Sequence, residues 1–316
     1  MIFAIRCLGV SLASFFILYC VLSAAVAGSW RVAKCFGAQL CARRQADLLF
    51  SLRLLPIVAA TLWTLAFVVP SFLLLEPRAA GEPVGEIPLA LGGCCLLLFA
   101  LGVGRAWRAH TKTASTVDAW ITKAAAMPST ERVPVFRIRP AVPALTVAGM
   151  WMPRVLLSEA AATVLSRQEL DTALKHEWAH VHRWDNLKKL MFLFCSFAGM
   201  SQLESAWAEA SEMAADDEAV ADARNALDLA SALIKLARLA PVYPSTALTT
   251  ALLNGASVNA RVARLVAWDE TRLTRSRGFA LPWYAKVAAL GTACGILLTY
   301  GAVLRDMHAL TEFVVW

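Results

Sequence analysis

The sequence predicts a polytopic membrane protein that is mainly α-helical with a small β-sheet. Three observations predict it. Of the 316 residues 59% are hydrophobic and only 17% charged, with a mean hydropathy of +0.58, a balance uncommon in a soluble domain of this length. Four stretches approach or exceed the roughly 20 apolar residues that a bilayer crossing needs: 7–27, 54–75, 87–103 and 287–304. Between the third and fourth, residues 105–284 are the only segment able to hold a globular domain.

Flanking charges orient the first of these elements. Arg31, Lys34, Arg43 and Arg44 lie between the first and second spans, opposed only by Asp47. Glu76, Glu82 and Glu86 lie between the second and third, against Arg78 alone. Arg105, Arg108 and Lys112 follow the third span, and Arg272, Arg275, Arg277 and Lys286 precede the fourth. The excess of basic residues in cytoplasmic loops therefore predicts an inner-membrane protein with residues 105–284 cytoplasmic. The N-terminus and the tail 305–316 then face outward. Arg6, the apolar run and Ala25-Val26-Ala27 also resemble a cleavable signal peptide. Cleavage there would place the basic loop outside, so an uncleaved span is the expectation.

The net charge of +7 fits basic residues stationed against anionic lipid, and no direct nucleic-acid partner is expected. The eight cysteines show no disulfide frame and no thiolate metal spacing.

Within 105–284 the elements follow in order. Small and apolar residues at helical spacing predict a helix over 111–127, broken at Pro128-Ser129-Thr130. Short β-like pieces at 133–138, 144–147 and 154–157, separated by Pro140, Pro143, Gly149 and Pro153, read as a small sheet. Residues 144–149 are a candidate edge strand for pairing with an extended substrate. Ser158 and Glu159 start a helix, and Ser166-Arg167-Gln168-Glu169 resembles a capping box for the next. The apolar run 190–200 is too short to span and reads as a buried or re-entrant helix. Helices over 204–224 and 226–239 follow, then a loop over 242–257.

The chemistry is concentrated in His176-Glu177-Trp178-Ala179-His180. Two imidazoles at i and i+4 share one helix face, so both can bind one Zn²⁺, with Glu177 beside them as a base for water. Zinc catalysis needs a third protein ligand and one open position. Glu212 is the expected third ligand, with Glu209, one turn earlier, as its rival. Asp216 lies at i+4 from Glu212 and is placed to orient a ligand histidine, a role that the neighbouring Asp217 could also take. The alternative is that these are solvated charged helix faces, but the joint pattern in this order makes coincidence the poorer reading. In the run Arg183, Asp185, Asn186, either Asp185 and Arg183 brace the end of the active helix by charged hydrogen bonds, or the stretch with Lys188 and Lys189 is a solvated, basic, membrane-facing helix end. His182 lies off the ligand face, and His110 and His308 stand alone. A transporter would leave the metal pattern without a purpose.

These residues carry a resemblance. Arg154-Val155-Leu156-Leu157-Ser158-Glu159, Leu165-Ser166-Arg167-Gln168-Glu169-Leu170 and the run from His176 through Asn186, followed by the glutamate helix, resemble the BlaR/MecR-type antirepressor membrane metallopeptidases over about 133–220. The resemblance implies a gluzincin-like zinc endopeptidase centre at the cytoplasmic membrane face, with Arg183, Asp185 and Asn186 as structural support. It implies cleavage of a protein substrate of the cytoplasmic transcriptional-repressor kind. The chain departs from the plan of the best-known members: residues 305–316 are too few for their external penicillin-binding sensor. Any signal would then enter through a sensor partner protein, the bilayer or the short outer loop. HtpX-like quality-control proteases share the metal pattern and are the nearest enzymatic alternative. A non-proteolytic zinc-containing signalling scaffold is the alternative from another class.

Overall fold

Long apolar helices and a short mixed sheet account for the architecture seen in a computed structural model. It describes residues 2–37, 40–77, 85–122, 124–127, 133–139, 144–150, 152–239, 249–251, 258–268 and 283–315. The Pro128–Thr130 break, Arg272, Arg275 and Arg277, and most of 242–257 lie outside them. Two units are present, one of residues 1–29, 54–101 and 277–316, the other of 30–53 and 102–276.

The first unit draws on α1 (Ile2–Gly37), α2 (Ala42–Trp63), α3 (Val69–Leu75), α4 (Glu86–Ile121) and α11 (Trp283–Val315). Among the described residues three helical stretches are long and apolar enough to cross a membrane, Phe3–Trp30, Ala42–Leu75 and Glu86–Ile121. The expected fourth span falls in α11, many of whose side chains lie outside the described set. Between α2 and α3 the chain makes a π-helical turn, Thr64–Val68. Pro70 explains part of it, because without an N–H it leaves the Ala66 carbonyl free of its ordinary helical donor. The Tyr300 hydroxyl donates to that carbonyl at 2.6 Å. In the same unit Arg6 pairs with Glu76 at 2.7 Å, and His308 Nε2 stands 3.8 Å from Glu76 and 3.5 Å from Glu312. His308 is therefore not alone, as spacing along the chain suggested; the grouping joins residues far apart in sequence.

In the second unit α4 corrects an expectation. Nothing in residues 104–121 interrupts helical hydrogen bonding, so the third span and the helix expected over 111–127 are one element, and Ala125–Met127 is strand β1 rather than helix. The sheet adds β2 (Val135–Ile138), β3 (Leu145–Ala148), β4 (Arg154–Ser158) and β5 (Thr249–Ala251) in the order β1-β2-β4-β3-β5. The β2–β4 pair is parallel and the others antiparallel. One face packs Val135, Leu145, Val147, Val155 and Leu157 against Ala173, Trp178, Leu229, Leu233 and Leu236. The other packs Ile138, Ala148 and Leu156 against Val117, Trp120 and Ile121 of α4. Strand β3 is not an edge, because β5 pairs along it with Thr146 opposite Ala251. A three-residue strand inside a stretch read as loop gives no periodicity to detect.

Caps set the helices that follow. Ser158 Oγ accepts from the Ala161 amide at the start of α5 (Glu159–Val164). Ser166 and Glu169 form the expected capping box of α6 (Arg167–His182), at 3.2 and 2.7 Å. The apolar run 190–200 is only partly helical: α7 (Asp185–Phe194) ends, and the chain turns through Gly199 at φ +88°. The fully buried Arg53 holds that turn, donating to the Cys195 carbonyl and to Glu204, each at 2.8 Å. A cation at the carbonyl end of α7 suits the helix dipole. The helix expected over 204–224 is α8 (Ser201–Ala219), and α9 (Ala223–Leu239) begins afresh because Asp222 Oδ1 caps the Asn225 amide at 2.8 Å. Helix α10 (Val258–Val266) completes the unit.

Candidate metal centre

The centre grows from α6, whose buried face carries His176, Glu177 and His180, and from α8, which carries Glu212. All four residues are at most 4% exposed. The two Nε2 atoms are 3.2 Å apart. Glu212 Oε2 is 3.5 Å from His176 Nε2, and Oε1 is 3.6 Å from His180 Nε2. Nitrogen and oxygen ligands at about 2.0–2.1 Å from a tetrahedral Zn²⁺ stand roughly 3.3–3.4 Å from one another. The three residues thus fit one small metal ion. Among the described residues Glu209 is exposed and takes no part in the group.

Each histidine has a carboxylate behind it. His176 Nδ1 stands 3.0 Å from Asp216 Oδ1, and His180 Nδ1 is 2.7 Å from Asp185 Oδ2. An acceptor at Nδ1 places the proton there and leaves Nε2 free to ligate. Asp217 instead pairs with Arg264. Asp185 can reach His180 because Trp184, between α6 and α7, adopts the left-handed conformation at φ 57°, turning α7 back toward α6. Arg183 is buried but only 3.7 Å from Asp185, so the two form an ion contact and not the hydrogen-bonded brace expected from sequence. Asn186 Nδ2 donates to the Gly149 carbonyl at 3.1 Å and pins the turn after β3. His182 points away and is exposed.

Electrostatics follow from burial and partners. Burial pushes the Glu177 carboxyl upward, and neither of its oxygens has a well-formed hydrogen bond. For His176 burial opposes the charge, but Asp216 and Glu212 outweigh it and raise the imidazole to about 9. Burial works to raise Asp216 and Asp185, yet Arg261 with His176 holds the first well below the usual carboxylate range, and His180 holds the second there. Burial also lowers the Lys189 ammonium.

Two contributors escaped the sequence reading. Ser211 Oγ donates to Asp185 at 2.6 Å. Arg261 on α10, 0% exposed, bonds both Asp216 and Glu212. Ser211 directly precedes Glu212, yet its orientation gave no signal; Arg261 lay in a stretch with no motif.

A cavity of about 140 Å³ opens beside His180, lined among others by Val147, Met150, Pro153, Val181 and Trp184. Gly149 and Met150 also line a second cavity of about 250 Å³, with His110, Asp118 and Arg154.

A buried two-histidine, one-glutamate group in a protein with membrane-grade helices defines the class of a membrane-associated metallopeptidase. The family model described as BlaR1 peptidase M56 matches residues 90–265, and the chain belongs to that family. No curated protein matches the chain.

Proposed function

We propose that this protein is a zinc-dependent endopeptidase that cleaves protein substrates at the cytoplasmic face of the inner membrane, in regulatory signalling of the repressor-cleavage type. The observation that carries the reading is the near-equilateral triangle of His176, His180 and Glu212 with the unpartnered, buried Glu177 beside it. The basic residues Arg43, Arg44, Arg105, Arg108 and Lys112 support the cytoplasmic assignment and an N-terminus outside.

His176, His180 and Glu212 would hold the zinc, which when bound would supply Lewis acidity to the scissile carbonyl and to the attacking water. Glu177 accepts the proton of that water as its oxygen bonds to the carbonyl carbon. It then delivers the proton to the leaving amine as the C–N bond breaks. Burial suits Glu177 to this work, since a desolvated carboxylate is a better base than one in water. Asp216 and Asp185 hold Nδ1 of the two imidazoles, leaving Nε2 of each available to the ion that the three residues would bind. The mostly apolar cavity beside His180 is placed to take an apolar side chain next to the scissile bond.

The test is made on detergent-purified, full-length protein. About one zinc per chain and cleavage of a repressor-type substrate are expected. Glu177→Gln keeps the metal and loses roughly 10²–10⁴-fold in rate. Full activity in that variant refutes the assignment.

A further inference from the structure

Glu212 and Asp216 lie one turn apart on α8, and a single guanidinium binds both. Arg261 Nε donates to Asp216 Oδ2 at 2.9 Å and Nη2 to Asp216 Oδ1 at 2.6 Å. Nη1 donates to Glu212 Oε2 at 3.0 Å. This uses three of the five donors of the planar fork, with two parallel bonds to one carboxylate and a third to another. A lysine, as a point charge, cannot reproduce that pattern.

The same Asp216 oxygen that takes Nη2 stands 3.0 Å from His176 Nδ1. Arg261 therefore acts directly on Glu212 and, through Asp216, on His176. His180 is held separately, by Asp185 and Ser211. Two of the three ligand residues thus depend on α10, while the third depends on α7 and α8.

We propose that Arg261 is a positioning residue of the metal centre, so that docking of α10 sets the ligand geometry of Glu212 and His176. The inference rests on the reading of this centre as a zinc site. By linkage, zinc at the centre strengthens the docking of α10 in return.

Arg264 provides an internal control. One turn further along α10 it bonds Asp217 and the Met213 carbonyl, neither of them one of the three candidate ligands, and so helps to dock the helix. Zinc affinity is measured by chelator competition on full-length wild type, Arg261→Lys, Arg261→Gln and Arg264→Gln in detergent. Hydrogen exchange of residues 258–266 is recorded with and without zinc. Arg261→Gln and Arg261→Lys are expected to weaken zinc by about 10–100-fold, the usual effect of losing a partner behind a ligand, with Arg264→Gln within about threefold of wild type. Zinc is expected to slow exchange of α10 in wild type and to do so much less in Arg261→Lys. If Arg261→Gln does not fold, Arg261→Lys decides, since it keeps the buried charge. Wild-type affinity in Arg261→Lys, or an equal loss in Arg264→Gln, overturns the proposal while leaving the zinc-site reading intact. A wild-type protein that binds no zinc overturns both.

Discussion

Ser211 and Asp185 meet through a 2.6 Å hydrogen bond to the carboxylate oxygen that also stands 2.7 Å from His180 Nδ1. One oxygen thereby joins α7 and α8 behind a residue of α6. Asp185→Asn is expected to weaken zinc by about 10–100-fold, because the amide can present a donor where Nδ1–H needs an acceptor. Ser211→Ala should have a smaller effect in the same direction. Zinc titration of the two variants checks this, and equal affinity in Asp185→Asn and wild type would rule the role out.

Glu212 and Glu209 are one turn apart on α8, but only the first faces the histidines. Glu212→Ala is expected to abolish stoichiometric zinc in purified protein, and Glu209→Ala to leave about one zinc per chain. Metal analysis after dialysis distinguishes them.

Glu169 ties α6 to α9. Its carboxylate accepts from the Ser166 amide, from Ser231 and from Lys235, whose ammonium is 2.8 Å away. Burial works to raise the carboxyl, but Lys235, Ser231 and the Ser166 amide together bring it down to about 2. A folded-state value below the unfolded one stabilises the fold above about pH 4.5, and that stability disappears as pH falls toward 2. The contribution is on the order of 3 kcal/mol. Thermal unfolding followed between pH 6 and pH 3 should show a larger drop for wild type than for Glu169→Gln.

Gly149 sits at φ +95° after β3, and a Cβ there would lie 2.7 Å from the Met152 carbonyl oxygen. Gly149→Ala is expected to destabilise by about 1–3 kcal/mol and to displace the turn that Asn186 holds against α7. A lowered unfolding midpoint with reduced zinc affinity is the expected result; an unchanged midpoint contradicts it.

Features with a local cause were legible in the chain. The i, i+4 pairs His176/His180 and Glu212/Asp216 follow from the helical repeat alone, and so does the Ser166–Glu169 capping box. Hydropathy likewise marked the three long apolar helices, because crossing length is a property of consecutive residues. Continuous α4 was misdivided, since basic residues in a helix look like a boundary but break no backbone hydrogen bond.

What only tertiary structure decided has another origin. Arg261 meets Asp216 across 45 residues and Glu212 across 49, and Ser211 meets Asp185 across 26. Strand β5 joins β3 from about a hundred positions away. No periodicity encodes such pairings, because they form only when packed helices bring distant side chains into one dry space where their charges must be matched. The candidate ligands, with Asp216 and Asp185 behind them, were written in the sequence; Ser211 and Arg261, which hold those carboxylates in place, were selected by the fold.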